Sequence, residues 1–259
     1  MAQRPVVLVT GGARRIGRAI ALELGRTGWD VAVHYRTSAA EAQDTVAVLR
    51  SGGAQAEAFA ADLSDEAACA SLLPAVIARF GRVDALVNNA STFEYDDAQT
   101  FGVAAMERHF RANTAPAVLL ARELHAHLSA RGADGCVVNL LDQKLANPNP
   151  DYFSYTLSKA ALDAATTMLA QALAPRLRVC GVAPGVTLIS GTMSDEEFAR
   201  ARRLTPLQRS STLDDVARAV RFLLESPAIT GATLMVDGGQ HLQHQPRDVM
   251  FLVKNDPPP

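Results

Sequence analysis

The chain is poor in cysteine and has no marked excess of charge of either sign. Its 259 residues include three cysteines and carry a formal net charge of −2 at pH 7. Cys69, Cys136 and Cys180 are scattered and form no C-x-x-C pair, so both a disulfide framework and a zinc-site spacing are missing. Reduced thiols are the simpler expectation. A basic face of the kind that nucleic-acid-binding proteins carry is not indicated, so we expect no nucleic-acid partner.

Long hydrophobic runs and metal-binding histidine patterns are also missing. No apolar stretch approaches the roughly 18 residues of a membrane helix, and no signal peptide precedes the first apolar run, Val6–Val9. These absences argue against a membrane span and predict a cytoplasmic protein. His125 and His127 are two residues apart, which places them on different faces of a helix, and no H-E-x-x-H motif occurs. We therefore expect no metal site.

The sequence does contain a regular alternation of short apolar runs and longer helical stretches. Strands are predicted at Val6–Val9, Val31–Tyr35, Ala54–Ala60, Val83–Asn88, Gly135–Leu141, Leu177–Val182 and Thr233–Val236. Helices are predicted at Arg15–Arg26, Ala39–Arg50, Asp65–Phe80, Val103–Ala130, Tyr155–Leu173 and Leu213–Leu224. Such alternation predicts an α/β fold whose parallel sheet is covered by helices on both faces. No linker rich in Pro, Gly or Ser divides the chain, so we expect a single domain.

A glycine-rich turn directly follows the first strand. It has the sequence Thr10-Gly11-Gly12-Ala13-Arg14-Arg15-Ile16-Gly17. Glycines here let the backbone approach a pyrophosphate, and the next helix offers free N–H groups and the positive end of its dipole. Two arginines within the turn suit phosphates better than a plain strand-to-helix connection, which is the alternative interpretation. The predicted cofactor contacts in this turn are Gly11, Arg14, Arg15, Ile16 and Gly17.

The end of the second strand indicates which nucleotide is bound. The segment His34-Tyr35-Arg36-Thr37-Ser38 contains an arginine and no acidic residue. An acid at this place holds the ribose 2′-hydroxyl of NAD, whereas an arginine accommodates the 2′-phosphate of NADP. We therefore expect NADPH, although a solvated surface arginine is the alternative. Further predicted cofactor contacts, at the ends of the second to fourth strands, are His34, Tyr35, Arg36, Ser38, Asp62, Leu63, Asn88 and Ala90.

A tyrosine and a lysine four residues apart lie on a predicted helix downstream of the nucleotide motif. Tyr155 and Lys159 therefore share one helix face. A lysine near a phenol favours the phenolate, so we expect a lowered pKa for Tyr155 and a usable proton donor near neutral pH. A tyrosine and a lysine at this spacing are common in helices. They indicate a reaction centre here only because they follow a nucleotide-type βα unit.

As a set, these motifs resemble the short-chain dehydrogenase/reductase family. The resemblance rests on Thr10-Gly11…Gly17, Asn88-Asn89-Ala90, Asn113, Tyr155…Lys159 and Pro184-Gly185, in this order along the chain. It implies a Rossmann-type, doubly wound, mostly parallel seven-stranded sheet and a homotetramer. The implied cofactor is NADPH or NADP, with Tyr155, Lys159, Pro184 and Gly185 among its contacts. It also implies that Tyr155 donates the proton, that Lys159 binds the nicotinamide ribose, and that Asn113 holds a proton-relay water.

Two departures from the common family pattern resemble its pteridine reductase branch, which includes dihydromonapterin and dihydrofolate reductases. Arg15 replaces the middle glycine of the first motif, and Asp142 follows the fifth strand where a substrate-orienting serine is usual. A carboxylate there opposes the negative charge that develops on a ketone oxygen. The segments 89–93 and 34–42 also resemble that branch, in which the phenylalanine stacks on the pterin and the second segment binds the 2′-phosphate.

A flat, polar pterin suits these residues. Phe93 and the nicotinamide can sandwich the ring, while Asp142 and Tyr155 relay a proton to a ring nitrogen. The alternatives are that Asp142 is only a cap and that Phe93 is only core packing. The predicted catalytic residues are Asn113, Asp142, Tyr155 and Lys159. The predicted substrate contacts are Arg15, Ser91, Phe93, Asp142, Tyr155, Leu188 and Met193.

The loops after the fifth strand are the least determined by sequence. Residues 188–203 are interpreted as a substrate lid, and residues 143–152 match no pattern that we can assign. In the tail, residues 240–259, the apolar segment Val249–Val253 is expected to pack at a subunit interface.

The function predicted from the sequence is NADPH-dependent reduction of a C=N bond in a pterin or dihydropterin, such as dihydrobiopterin, dihydromonapterin or dihydrofolate. A carbonyl or 3-oxoacyl-acyl-carrier-protein reductase that tolerates Asp142 remains open. A non-catalytic NADPH-binding regulator is the alternative of another class, and the intact pair of Tyr155 and Lys159 argues against it.

Overall fold

A parallel sheet forms the centre of the molecule. In the computed structural model, which describes residues 3–189 and 193–254, seven strands are aligned in the order β3-β2-β1-β4-β5-β6-β7, all parallel. They are β1 Val6–Val9, β2 Asp30–Tyr35, β3 Ala56–Ala60, β4 Ala85–Asn88, β5 Gly135–Leu140, β6 Leu177–Pro184 and β7 Thr233–Val236. The order reverses between β1 and β4, and ligands of open α/β sheets bind at such a switch point. The predicted fold class is confirmed.

Helices cover both faces of the sheet because the strands are apolar on both sides. The helices are α1 Arg15–Arg26, α2 Ala39–Ser51, α3 Glu66–Phe80, α4 Val103–Asn113, α5 Ala115–Arg131, α6 Phe153–Ala172, α7 Asp195–Arg203, α8 Leu213–Glu225 and α9 Val249–Leu252. Val7 and Val9 pack into one core with α1, α2 and α8, whereas Val6 and Leu8 pack into the other with α3 and α5.

The long helical region predicted at Val103–Ala130 is two helices. The break falls at Thr114, which has φ −113° and ψ −57°, and Pro116 lies in the first turn of α5. Proline has no N–H to donate and is favoured in the first turn of a helix, so Pro116 suits the start of a new helix here. The predicted single helix is therefore wrong at this point. The segment that matched no pattern, 143–152, begins with a short 3₁₀ turn, Gln143–Ala146.

The chain after β7 packs back onto its own domain. Val249, Met250 and Val253 are buried, in a cluster that includes Tyr152, Tyr155 and Met193. The segment Val249–Val253 is therefore not an open apolar patch, and its place at a subunit interface stays a prediction. The same domain already covers most of this segment, and Leu252 is its most exposed large side chain.

The described ranges contain no helix with the length and apolarity that crossing a membrane requires. Within the same ranges, no three or more His, Cys, Asp and Glu side chains converge in a way that would hold a metal ion. The three cysteines are buried and reduced.

Candidate active site

The turn after β1 is tight enough to need glycine at two positions. Gly11 has φ +63°, and a Cβ on Gly17 would lie only 2.2 Å from the carbonyl oxygen of Gly11. The neighbouring loop after β4 is tied to this turn, since Asn89 Nδ2 donates to the Thr10 carbonyl at 2.9 Å. The Thr10 hydroxyl in turn accepts from the Asn89 N–H at 2.9 Å. The ends of β1 and β4 thus form one rigid rim at the switch point.

Arg15 has an unusual backbone conformation. It occupies the place where the family pattern has glycine, and its φ is +52°, in the left-handed region that costs a side-chain-bearing residue free energy. Such strain concentrates at ligand sites, where the surrounding structure holds it in place. The Arg15 guanidinium crosses to the loop after β6 and donates to the Ile189 carbonyl at 3.1 Å.

His34, on β2, holds the glycine turn in place through a hydrogen bond. Its Nδ1 accepts from the Gly11 N–H at 3.0 Å, which assigns the proton to Nε2, and Nε2 then donates to the Ala61 carbonyl at 3.1 Å. Burial lowers the pKa of His34, so the ring stays neutral. His34 lines the cleft as predicted, but both of its nitrogens are used to position backbone.

A cleft of about 350 Å³ opens above this rim. Its volume lies within the range of small-molecule sites. Asn88, in contrast, turns away from the cleft into the sheet, where its side chain donates to Asn139 Oδ1 at 2.8 Å. Twelve of the predicted cofactor contacts line the cleft: Gly11, Arg14, Arg15, Ile16, Gly17, His34, Tyr35, Arg36, Ser38, Asp62, Leu63 and Ala90. Ser91 lines it too, as do Ala13, Thr37, Ser64, Asn89, Thr92 and Ala112, which the sequence did not single out as contacts.

Positive charge gathers at one end of this cleft. Arg36 is exposed at its wall, and the Arg14 guanidinium makes only a 3.5 Å contact with Glu41 on the surface. Such an exposed pair contributes little stability and competes weakly with a bound anion. Asp62 faces the same wall. Hydrogen bonds from the Ser64 hydroxyl and N–H lower the Asp62 pKa, as does the nearby charge of Arg36.

A second cleft, of about 170 Å³, adjoins the first and shares Arg15 and Ile16 with it. Of the predicted substrate contacts, Arg15, Phe93, Asp142, Leu188 and Met193 line it, and Gly185 lies in its wall. Pro184 is half-buried at the end of β6. The predicted lid, 188–203, contains α7 and two of the predicted substrate contacts, Leu188 and Met193. Its residues 190–192 lie outside the described part of the chain.

Asp142 combines the two roles that the sequence left open. Its Oδ1 accepts from the Lys144 N–H at 2.9 Å and so caps the 3₁₀ turn. Its Oδ2 accepts from the Tyr155 hydroxyl at 2.9 Å. The cap thereby fixes a carboxylate against the phenol, and the two groups meet because β5 ends and α6 begins at this edge of the sheet.

The surroundings of Tyr155 raise its pKa. Burial raises it well above the usual value, and the Asp142 carboxylate adds to the shift by charge and hydrogen bonding. The lowered pKa expected from Lys159 is therefore wrong for this structure. Lys159 Nζ donates to the Leu140 carbonyl at 2.7 Å and lies 5.8 Å from the Tyr155 ring centroid. Burial also lowers the pKa of Lys159 to about 8, which reduces its charge near that pH.

Asn113 uses its side-chain amide to hold the loop after β4. Its Oδ1 accepts from the Thr92 N–H at 2.7 Å and from the Ser91 hydroxyl at 3.2 Å. Its Nδ2 donates to Ser158 Oγ at 2.9 Å, which links the loop to α6. Asn113 thus fixes the segment that carries Phe93, and a water held by it stays a prediction.

Phe93 lies at the mouth of the second cleft and is 44% exposed, so it is not a core residue. One ring face stacks on Tyr152, with centroids 4.1 Å apart and planes 16° apart. Its contact with Tyr155 is edge-on, at 4.6 Å and 87°. Tyr152 is a supporting residue that the sequence did not reveal, because nothing near it in the chain distinguishes it.

Polar residues from several parts of the chain complete the second cleft. They are Gln143, Lys144, Asn149, Thr187, Gln240, Gln245 and Asp248. Gln143 and Lys144 follow Asp142 directly in the sequence, whereas the last three follow β7, so only the fold brings those three to the same cleft.

Comparison with known proteins gives a consistent family assignment. A family model described as enoyl-(acyl carrier protein) reductase matches residues 11–241. The structure resembles that of FolM alternative dihydrofolate reductase 1 from Brucella suis in complex with NADP, with a TM-score of 0.89 and 42% sequence identity. That alignment covers 93% of this chain and 96% of the Brucella chain.

Two curated relatives differ in their reactions. Pteridine reductase 1 of Leishmania tarentolae is 33% identical over 279 residues, which cover 92% of this chain and 96% of the relative. A granaticin polyketide synthase putative ketoacyl reductase of Streptomyces violaceoruber is 32% identical over 247 residues, which cover 93% of this chain and 97% of that protein.

Proposed function

The chain belongs to the short-chain dehydrogenase/reductase family, and we propose that it reduces the C=N bond of a dihydropterin with NADPH. The observation that carries the proposal is the hydrogen bond from the buried Tyr155 to Asp142, a carboxylate that lines the second cleft together with Phe93. The similarity to a pteridine reductase and to the Brucella dihydrofolate reductase supports the same substrate class.

The first cleft fits a dinucleotide with a 2′-phosphate. The Gly11–Gly17 contact leaves no room for a Cβ, so the backbone stays open to a pyrophosphate at the start of α1. Arg36 lies on the wall where the ribose 2′-position of a dinucleotide would lie, and no acidic residue in 34–38 competes for it. NADPH, when bound there, supplies the hydride.

The remaining chemistry belongs to the protein. Phe93 offers an aromatic face to a flat ring at the cleft mouth, and Arg15 offers a cation that borders both clefts. Hydride addition to the carbon of a C=N bond requires a proton at the nitrogen. The Tyr155 hydroxyl is the donor, and the phenolate that it leaves has to be reprotonated with a proton from solvent. Asp142, 2.9 Å away, can pass such a proton to the phenol oxygen once it has taken one up from water.

The Asp142 carboxylate also explains why an imine suits the site better than a ketone. A carbonyl oxygen gathers negative charge as hydride arrives, and a neighbouring carboxylate raises the energy of that transition state. The nitrogen of a C=N bond takes up a proton instead of gathering negative charge, so the carboxylate favours reduction of an imine over reduction of a ketone. Because the relative from Streptomyces is named as a ketoacyl reductase, ketone reduction is the alternative to be tested.

The deciding experiment compares NADPH oxidation with dihydrobiopterin, dihydromonapterin, dihydrofolate and a 3-oxoacyl ester. We expect the largest kcat/KM for a dihydropterin or dihydrofolate, since this ratio reports transition-state preference. Tyr155→Phe should lower kcat by roughly 10²- to 10⁴-fold, the usual effect of losing a general acid. Tyr95→Phe, which removes a phenol outside both clefts, is the matched control. Preference for the ester, or turnover of none of the four, would contradict the proposal.

The homotetramer and the cytoplasmic location stay predictions. Light scattering of the purified protein tests the first, since a tetramer of this 27.5 kDa chain differs clearly in mass from a monomer or dimer.

A further inference from the structure

The segment after β7 supplies one wall of the second cleft. Gln240, Gln245 and Asp248 line it together with Val249 and Met250 from the start of α9. The facing wall comes from the loop after β5, which includes Asp142 and Lys144. This end of the cleft is polar and contains a second carboxylate, Asp248, which takes no part in the hydride and proton transfer described above.

Hydrogen bonds hold Asp248 in a defined position. Its N–H donates to Asp151 Oδ2 at 2.7 Å, and its own Oδ1 accepts from the Met250 N–H at 3.0 Å, which caps α9. Asp151 is only 1% exposed and also accepts from the Arg247 guanidinium, with contacts of 2.8 to 3.0 Å. The second oxygen of Asp248, Oδ2, lies 3.7 Å from Lys144 Nζ, and this side chain, which lines the cleft, keeps 19% of its surface exposed.

Lys144 does not provide a free positive charge at this end of the cleft. Its side chain is 5% exposed, its Nζ donates to the Asp151 carbonyl, and its nearest carboxylate is Asp248. Burial lowers the pKa of Lys144 and raises that of Asp248. Both groups are therefore poorly solvated, and a ligand that donates hydrogen bonds to Asp248 lowers the cost of its burial.

These contacts favour one kind of substituent on the substrate. A chain with hydroxyl groups can donate to Asp248 and bond with Asn149 and Gln245, whose amides both donate and accept. A chain that ends in carboxylates meets Asp248 with like charge, and Lys144 is already neutralised. The small volume, about 170 Å³, also leaves little room for a long substituent.

We propose that Asp248 is a specificity-determining residue, which selects a reduced pterin with a neutral, hydroxyl-bearing side chain over one with an anionic side chain. The inference rests on the proposed function, because it concerns the substrate of that same site. It assigns a role in substrate choice to the C-terminal segment, with Asp151 and Arg247 as positioning residues.

The test uses Asp248→Asn, which keeps the size of the side chain and an oxygen for the α9 cap but removes the charge. Its kcat/KM should fall about tenfold for dihydrobiopterin, the loss expected for one hydrogen bond to a charged group. For a dihydropterin that carries only a methyl group it should change by less than about twofold, and for dihydrofolate it should rise about fivefold as the like charge is removed. Asp44→Asn, an exposed change on α2, is the control for net charge.

The outcomes separate the two proposals. If the wild-type protein reduces none of the three substrates, the proposed function fails. If it reduces them and Asp248→Asn leaves their ratios unchanged, the role of Asp248 fails while the function stands. If Asp248→Asn does not fold, Lys144→Met gives the opposite test. Removal of the neutralising cation should lower kcat/KM for dihydrofolate relative to dihydrobiopterin, and an unchanged ratio would overturn the inference.

Discussion

At the scale of single residues, burial dominates the ionisation of the two central side chains. Tyr155 and Lys159 are both almost inaccessible, and burial shifts the pKa of each toward its neutral form. The helix spacing predicts that they share a face, and it cannot predict that Lys159 Nζ bonds to the Leu140 carbonyl. That bond depends on β5, which is far away in the sequence.

The lowered pKa of Lys159 predicts a pH dependence of stability. The folded pKa of about 8 lies below the unfolded value of 10.5, so between these values the unfolded chain binds more protons and the stabilising contribution grows as pH rises. It is lost as pH falls through about 8. Urea denaturation at pH 7 and pH 10 should show the wild type gaining roughly 2 kcal/mol relative to Lys159→Met. A pH-independent difference between the two proteins would contradict the buried, neutralised lysine.

At the scale of elements, the strands and helices with strong local patterns were predicted well. The bounds of β1, α1 and β7 are those predicted, because buried strands and the glycine turn have local signals. The break at Thr114 had a signal in Pro116, which the unbroken prediction ignored. The short α9 had no such signal, since its apolar residues are equally consistent with an interface. Its position depends on Asp151, about a hundred residues earlier in the chain.

We expect the ion pair between Arg247 and Asp151 to hold α9 against the rest of the domain. Arg247→Met leaves the Asp151 carboxylate buried without its bidentate partner, a change that typically costs about 3 to 5 kcal/mol. We expect α9 to open locally, so that the amides of residues 249–252 exchange hydrogen faster and KM for the pterin rises more than kcat falls.

Arg218→Met is the matched control, because it breaks an exposed pair with Asp215. It should change stability by less than about 1 kcal/mol and leave KM unchanged. Equal exchange rates at 249–252 in the wild type and in Arg247→Met would show that the ion pair does not hold α9.

At the scale of the whole molecule, the two clefts differ in how much of them the sequence reveals. The first is built from short segments that end successive strands, so most of its contacts could be predicted in chain order. The second brings Asp142 and Lys144, from the loop after β5, together with Gln245 and Asp248, from the segment after β7, and the proximity of these two segments follows only from the tertiary structure. Pattern and turn chemistry therefore predict the nucleotide half, and the substrate half needs the packed fold.

Binding at the first cleft should stabilise the entire fold. A ligand at a hundred times its Kd adds about 2.7 kcal/mol to the free energy of unfolding. For a domain of this size that raises Tm by roughly 5 to 10 °C. NADPH should produce the shift at a lower concentration than NADH, since Arg36 lines this cleft and we propose that it pairs with the 2′-phosphate.

Differential scanning fluorimetry with both nucleotides, on the wild type and on Arg36→Asp, measures this preference. Arg36→Asp should lose most of the NADPH shift and retain the NADH shift. Identical curves for the two nucleotides in the wild type would contradict the assignment of the 2′-phosphate site.

The packing of the segment after β7 into the second cleft has a consequence for the order in which the molecule matures. During translation, at about 5 to 20 residues per second, every strand of the sheet is made before Gln245 and Asp248. The nascent sheet and its first cleft can therefore form while the second still lacks a wall. On the proposed function, catalytic competence therefore waits until residues 245–250 have left the ribosome and closed the pocket.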